Sequence, residues 1–172
     1  MSTRWKPSAT VAAIIEQDGK FLLVEEHTPE GLRLNNPAGH LDEGESLVTA
    51  CAREALEETM HLFMPTELLG VYMARFHRPG SGLRAPEDIT YLRFAFCGQL
   101  GELQAGRSLD TGIVRTLWLS PDEIRASADR HRSPLIVQCM EDYLKGQRFP
   151  LSLIYSDATL TQPQYPSGGP TA

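Results

Sequence analysis

The stretch 46–59, SLVTACAREALEET, has the period of a helix and puts acid inside its own apolar stripe. At about 100° per residue, Leu47, Val48, Cys51, Ala52, Ala55 and Thr59 share an arc of about 140°, the width of a core-facing stripe. Glu58 falls within that arc, between Leu47 and Cys51, and Glu54 falls about 20° beyond its edge. A hexamer such as REALEE is commonly a solvated helix face, on which Glu54, Glu57 and Glu58 would repel one another as i, i+3 and i+4 neighbours. Here two of the three carboxylates turn to the core boundary. They cannot both stay ionised there unless a positive charge offsets desolvation and mutual repulsion. Arg53 lies in another sector and offsets only part of that charge. A divalent cation is the economical partner.

The loop before the helix supports this reading. Pro37-Ala38-Gly39-His40-Leu41-Asp42-Glu43-Gly44-Glu45 carries glycines where the backbone can come close to an ion, and its carbonyls are hard oxygen ligands. Carboxylates, carbonyls and water suit Mg²⁺, with Mn²⁺ as a substitute. No local His/Cys cluster offers a zinc site.

Elsewhere the chain alternates strand and turn signals. Segments 8–16 and 21–26 are β-rich and flank Gln17-Asp18-Gly19, which predicts a hairpin. Strand character returns at 68–76, 89–100 and 115–119, and HRPGSGLRAPED (77–88) reads as a loop. Ser120-Pro121 with Glu123 starts a helix as a capping box, and Ser133-Pro134 opens a last one through Leu144, with Gly146 near its cap. Residues 1–155 are expected to form one α/β domain. The tail 156–172, rich in Pro, Gly, Ser and Thr, is expected to be disordered.

Composition narrows the function. The 172 residues carry a formal charge of -6, which argues against sequence-independent binding to nucleic-acid backbones. No apolar run approaches a membrane span, and the amino terminus lacks a secretory core, so the expectation is a cytoplasmic protein. Three cysteines, each in an apolar or periodic segment, read as reduced thiols packed as small hydrophobes.

The spacing Gly39-x5-Glu45-x7-Arg53-Glu54-x2-Glu57-Glu58 resembles the Nudix box, G-x5-E-x7-R-E-U-x-E-E-x-G-U, where U is a bulky aliphatic residue. Three positions depart: Ala55 is small where U is expected, Met60 replaces the glycine, and His61 replaces the last aliphatic. Met60 in a left-handed cap would cost about 1–2 kcal/mol, so the helix is expected to end differently or to run on to Leu62. No departure removes a charged group. The order of PAGHL, ITYLRFAF, LWLSPDEI and RSPLIVQCMEDYLKGQRFPL along residues 5–154 is similar to the NudJ-type phosphatase branch of the Nudix superfamily.

The resemblance implies an α/β/α sandwich with a mixed central sheet. It also implies a metal-dependent hydrolase of nucleoside tri- and diphosphates, or of pyrimidine pyrophosphates related to thiamine metabolism, that releases orthophosphate stepwise. Glu54 and Glu58, one turn apart on one face, are the expected direct ligands. Glu57 would bind through water or a second ion, and a carbonyl of Ala38 or Gly39 would complete the set. By resemblance, Glu45 and Arg53 form a supporting ion pair, and the general base is Glu57 or Asp110. Arg33, Asn36, Arg75, His77, Tyr91 and Arg93 are candidate substrate contacts, the arginines suiting bidentate phosphate recognition. The chain is expected to act on a small molecule, as a monomer or homodimer. Two rivals stand beside this reading: a Nudix pyrophosphohydrolase releasing pyrophosphate, and a Nudix-fold domain that senses a nucleotide without cleaving it.

Overall fold

A computed structural model describes residues 4–78, 80 and 85–161. Its nine strands are β1 (Ser8–Ile14), β2 (Glu16–Gln17), β3 (Lys20–Thr28), β4 (Gly31–Asn35), β5 (Ala38–His40), β6 (His61–Arg78), β7 (Glu87–Leu103), β8 (Ile113–Leu119) and β9 (Phe149–Pro150). The α-helices are α1 (Leu47–Thr59), α2 (Pro121–Ala126) and α3 (Leu135–Leu144). One sheet runs β5-β1-β7-β6-β9, with β1 and β7 parallel and the other pairs antiparallel. In the second sheet β3 pairs with β2, β4 and β8.

Strand β1 explains the layering. Successive side chains of a strand point to opposite faces, so a strand covered on both sides reads as continuous apolar sequence, as VAAII does. Ala12 and Ile14 pack with Ile136, Cys139 and Met140 of α3, whereas Val11 and Ala13 pack with Ala50, Cys51 and Ala55 of α1. A helix therefore covers each face of a mixed sheet, in the sandwich order expected. Cys51, Cys97 and Cys139 are buried free thiols.

Two local expectations are corrected. The predicted hairpin does not pair 8–14 with 21–26, because β1 and β3 belong to different sheets. The hairpin forms at its tip alone among the described residues: Glu16–Gln17 pairs with Lys20–Phe21, and the Ile15 carbonyl accepts from Leu22 N–H at 2.9 Å, around Asp18 and Gly19, which both take positive φ. The chain changes sheet at Ile15, which is itself buried. Both faces of β1 need apolar cover, and a simple two-strand hairpin cannot supply it. Helix α1 ends at Thr59, and Met60 does adopt the left-handed conformation, with φ 60° and ψ 7°. Its N–H donates to the Leu56 carbonyl at 2.9 Å, and its carbonyl accepts from Gln104 N–H at 2.7 Å. Those bonds and the immediate start of β6 at His61 fix a turn that a side chain tolerates only at a cost.

Of the segment read as a loop at 77–88, its ends are strand, since β6 extends to Arg78 and β7 begins at Glu87, and residues 79 and 81–84 lie outside those described. The capping box at Ser120 and Glu123 is present, and Gly146 follows α3 with φ 77°. The tail begins with a 3-10 turn over Ala158–Thr161, and residues 162–172 lie outside those described. Among the described residues no helix is long and apolar enough to cross a membrane.

Candidate active site

Helix α1 begins with Ser46 as N-cap, its hydroxyl accepting from Thr49 N–H at 3.1 Å. This sets the rotation of α1 so that Ala50, Cys51 and Ala55 enter the core, with Glu58 left 8% exposed beside them. The side chain of Glu58 accepts from the Ala38 N–H of β5 at 2.8 Å. Burial pushes its carboxyl up to about 8, against the lowering pull of that hydrogen bond. Negative Glu26 and Glu54 add to the rise, and Arg132 opposes it.

Glu54 sits against Gly39. A Cβ at position 39 would overlap the Glu54 carboxylate, so only glycine lets the β5 backbone and that carboxylate approach this closely. Burial raises the Glu54 carboxyl above its ordinary value, and Arg53 partly reverses the shift.

Arg53 organises the acids. Its Nε and Nη2 donate to the two oxygens of Glu45 at 3.0 and 2.6 Å. Nη1 donates to Glu54 at 2.8 Å and to Glu57 at 3.1 Å, and Nη2 also reaches the His40 carbonyl at 3.0 Å. The hydrogen bonds from Arg53 hold the Glu45 carboxyl below its usual value, despite partial burial. Arg53 thus reaches more of the acidic face than its sector on the wheel suggested, because a long side chain spans several sectors.

These residues line a cleft of about 830 Å³. Ala38, Gly39, Arg53, Glu54, Glu57 and Glu58 form one side, and Asp110 joins them from the loop before β8. Arg33, His77, Tyr91 and Arg93 also line it. Glu45 lies behind the wall, reaching the site through Arg53. Two sequence-level candidates are not part of the lining. Arg75 is exposed and bound to Asp88 on β7, with its Nε donating at 2.7 Å, and Asn36 is buried beneath the surface.

The cleft also gathers residues that periodicity did not single out: Thr10, Asn35, Phe76, His131, Arg132 and Ser133. The segment carrying the last three is brought in by long-range pairing. Arg132 N–H donates to the Leu34 carbonyl at 2.9 Å, and the Arg132 and Glu26 side chains form an ion pair. Next to it, Glu25 of β3 holds both Arg115 and Arg130. Clustering of arginines at 125, 130 and 132 in an acidic chain was the available signal.

The donor set fits a hard divalent cation: carboxylates, backbone carbonyls and no soft ligand, with a glycine cradle under Glu54. Among the described residues, no three His, Cys, Asp or Glu side chains are grouped closely enough to hold an ion. Glu54 is drawn to Arg53 and Glu58 to the Ala38 N–H, so ion uptake requires these side chains to exchange partners.

Known proteins with the same features converge on one family. Residues 5–139 match the model of the NUDIX domain. The chain is 37% identical over 150 residues to Phosphatase NudJ of Escherichia coli K12, covering 87% of this chain and 92% of that protein. Among solved structures, a NUDIX hydrolase from Nitrosomonas europaea superposes with a TM-score of 0.75 at 51% identity, covering 88% of this chain and 98% of that one. The MutT protein from Methanosarcina mazei Go1, at 21% identity and a TM-score of 0.62 over 85% of this chain and 99% of that one, shares the fold. With box residues, cleft and architecture in agreement, the chain belongs to the Nudix family of hydrolases, which act on phosphoanhydrides.

Proposed function

We propose that this chain is a Mg²⁺-dependent phosphatase of small phosphoanhydrides, releasing orthophosphate stepwise from nucleoside tri- and diphosphates or pyrimidine pyrophosphates, with Mn²⁺ able to replace Mg²⁺. The observation that carries the reading is one cleft lined both by the acids of α1 and by Arg33, Arg93, Arg132 and His77. Carboxylates alone would repel a polyphosphate, and the basic groups alone would hold it without activating water. The 37% identity to Phosphatase NudJ supports orthophosphate as the product.

Glu54, Glu58, Glu57 and a carbonyl of Ala38 or Gly39 would hold the cation. When bound, it neutralises charge on the phosphate oxygens and makes water a better nucleophile. The chain's own residues do the rest. Arg53, fixed by Glu45, positions the carboxylates, as partners behind a metal site do. Glu57, with Asp110 beside it, accepts the proton of the attacking water. Arg33, Arg132 and His77 bind phosphate oxygens and hold phosphorus for in-line attack.

The test is to incubate the pure protein and Mg²⁺ with a panel of nucleoside tri- and diphosphates and pyrimidine pyrophosphates, assaying orthophosphate and pyrophosphate separately. Orthophosphate is expected first, with diphosphates also consumed. Pyrophosphate as the initial product would overturn the phosphatase reading in favour of pyrophosphohydrolysis. Metal binding without turnover across the panel would favour a sensing role.

A further inference from the structure

Glu26 of β3 is a carboxylate held where the fold alone does not need one. It is 7% exposed; one oxygen meets Nη1 of Arg132, and the other, Oε1, is buried with no hydrogen-bond partner. Buried polar atoms are nearly always paired, and a carboxylate buried for an ion pair is often matched in stability by an apolar side chain of similar volume. Its charge also acts against that of Glu58.

The register shows which way it faces. Across the β3–β4 pair, Glu26 stands opposite Arg33, and Glu25 stands opposite Leu34. Directly opposed residues share a face of a sheet, and successive residues alternate. Glu26 is therefore on the face that Arg33 brings to the cleft, whereas Glu25 is on the face that Leu34 brings to the core. The arginines divide in the same way. Arg132, held by Glu26, lines the cleft, and Arg115 and Arg130, held by Glu25, do not.

An arginine on a cleft wall is a long, mobile side chain, and ordering it opposes binding. Here the Arg132 N–H is tied to the Leu34 carbonyl at 2.9 Å, and Nη1 is tied to a carboxylate rooted in a strand. The side chain is 49% exposed, and its Nε and Nη2 make no hydrogen bond among the described residues. Those two nitrogens form one edge of the planar fork, the edge with which Arg53 grips Glu45. An edge of that kind matches two oxygens of a phosphate.

We infer that Glu26 is a positioning residue for phosphate, fixing the guanidinium of Arg132 so that its Nε–Nη2 edge meets phosphate oxygens of the substrate. The inference rests on the reading proposed above and deepens it by naming the group that orders one of its phosphate contacts.

Titration calorimetry of the full chain with Mg²⁺ and methylenebisphosphonate tests this apart from catalysis, since the probe has no ring and no anhydride to hydrolyse. The parent is expected to bind it. Glu26→Gln, which keeps the shape and releases Arg132, should weaken binding about tenfold, as should Arg132→Gln. The double variant should bind no more weakly than Arg132→Gln, because a residue acting through Arg132 then has nothing left to position. Glu25→Gln is the control for a purely structural ion pair and should bind as the parent does. Glu26→Asp keeps the charge but withdraws the carboxylate by one methylene; it should also weaken binding, and it takes the place of Glu26→Gln if that variant does not fold. Absence of binding by the parent overturns the inference. So does parent-like affinity in the folded Glu26 variant, or a full further loss when Glu26→Gln is added to Arg132→Gln. Hydrolysis assayed in parallel separates the two readings: a loss of probe affinity in Glu26→Gln with no turnover by the parent upholds the positioning role and sinks the proposed activity.

Discussion

The backbone N–H of Asp110 donates to the carbonyl of Glu57 at 3.0 Å, pinning the loop before β8 to the acidic helix. The two candidate bases therefore meet at one point although 53 positions separate them, counting from 57 to 110. The Asp110 carboxylate is engaged locally, accepting from Thr111 N–H at 2.7 Å, whereas Glu57 turns to Arg53 within the cleft. Glu57→Gln is accordingly expected to lower kcat by about 10²–10⁴-fold, and Asp110→Asn by less than about tenfold. Single-turnover rates of both variants check this; the reverse order would move the base to the loop.

Gly39→Ala tests the close approach under Glu54. The added methyl meets the far end of a flexible side chain rather than backbone, so the protein should fold with stability changed by less than about 1 kcal/mol. Displacing the carboxylate should nonetheless cost roughly 10²-fold in turnover. Equal melting curves and a depressed rate are the expected pair of results. A rate within a factor of a few of the parent would remove Glu54 from the site.

Glu58→Gln should remove several orders of magnitude of turnover, since a metal-assisted step depends on its ligands for many kcal/mol. The fold should persist, because the amide oxygen can still accept from Ala38 N–H. Activity within about tenfold of the parent would dismiss the ligand role.

Met60→Gly should stabilise the protein. Relief of the left-handed strain returns about 1–2 kcal/mol, and the entropy of glycine takes back about 0.5–1 kcal/mol. The net is a rise in Tm of about 1–4 °C for a chain of this size. A fall in Tm would mean that the Met60 side chain packs more productively than its half-buried state implies.

Glu25 governs stability at low pH. Its hydrogen bond from Arg115, with further help from Arg130, holds the folded-state carboxyl below its ordinary value of 4.5, although burial works the other way. A depressed carboxyl contributes stability above its unfolded-state value and loses it as pH falls through the folded one. Breaking a fully buried pair costs about 3–5 kcal/mol, and both arginines here are well exposed, so Glu25→Gln should lose about 1–3 kcal/mol at pH 7. The gap from the parent should narrow as pH falls below about 4.5 and close once pH is below the folded-state value. Chemical denaturation at pH 7 and at steps downward from about pH 4.5 follows it, and a pH-independent difference would rule out the ion pairs as its cause.

Local periodicity made α1 legible, and with it the burial of Glu58, because a helix wheel needs only nearest neighbours in sequence. The capping box at Ser120 and the helix from Leu135 were legible for the same reason. The assignment of β1 and β3 to different sheets was not, since strand pairing across the fold is non-local and an apolar run does not name its partner. The same limit hid Thr10, Asn35 and the 131–133 segment, which reach the cleft through register and a single long-range backbone bond. Arg75 shows the converse: its residue type suited phosphate, but it stands exposed and held by Asp88.

Ala55 occupies a position where the family motif calls for a bulky aliphatic residue, and it is fully buried between α1 and the sheet. Its small side chain sets how near the glutamate-bearing helix lies to β1. Exchanging the whole motif with a relative's would therefore not be a modular swap: larger aliphatics at 55 would lift the helix and carry Glu54 and Glu58 away from β5. Catalytic segment and interior have to be inherited together, so a hybrid enzyme made at this helix would need matching changes in the strands beneath it.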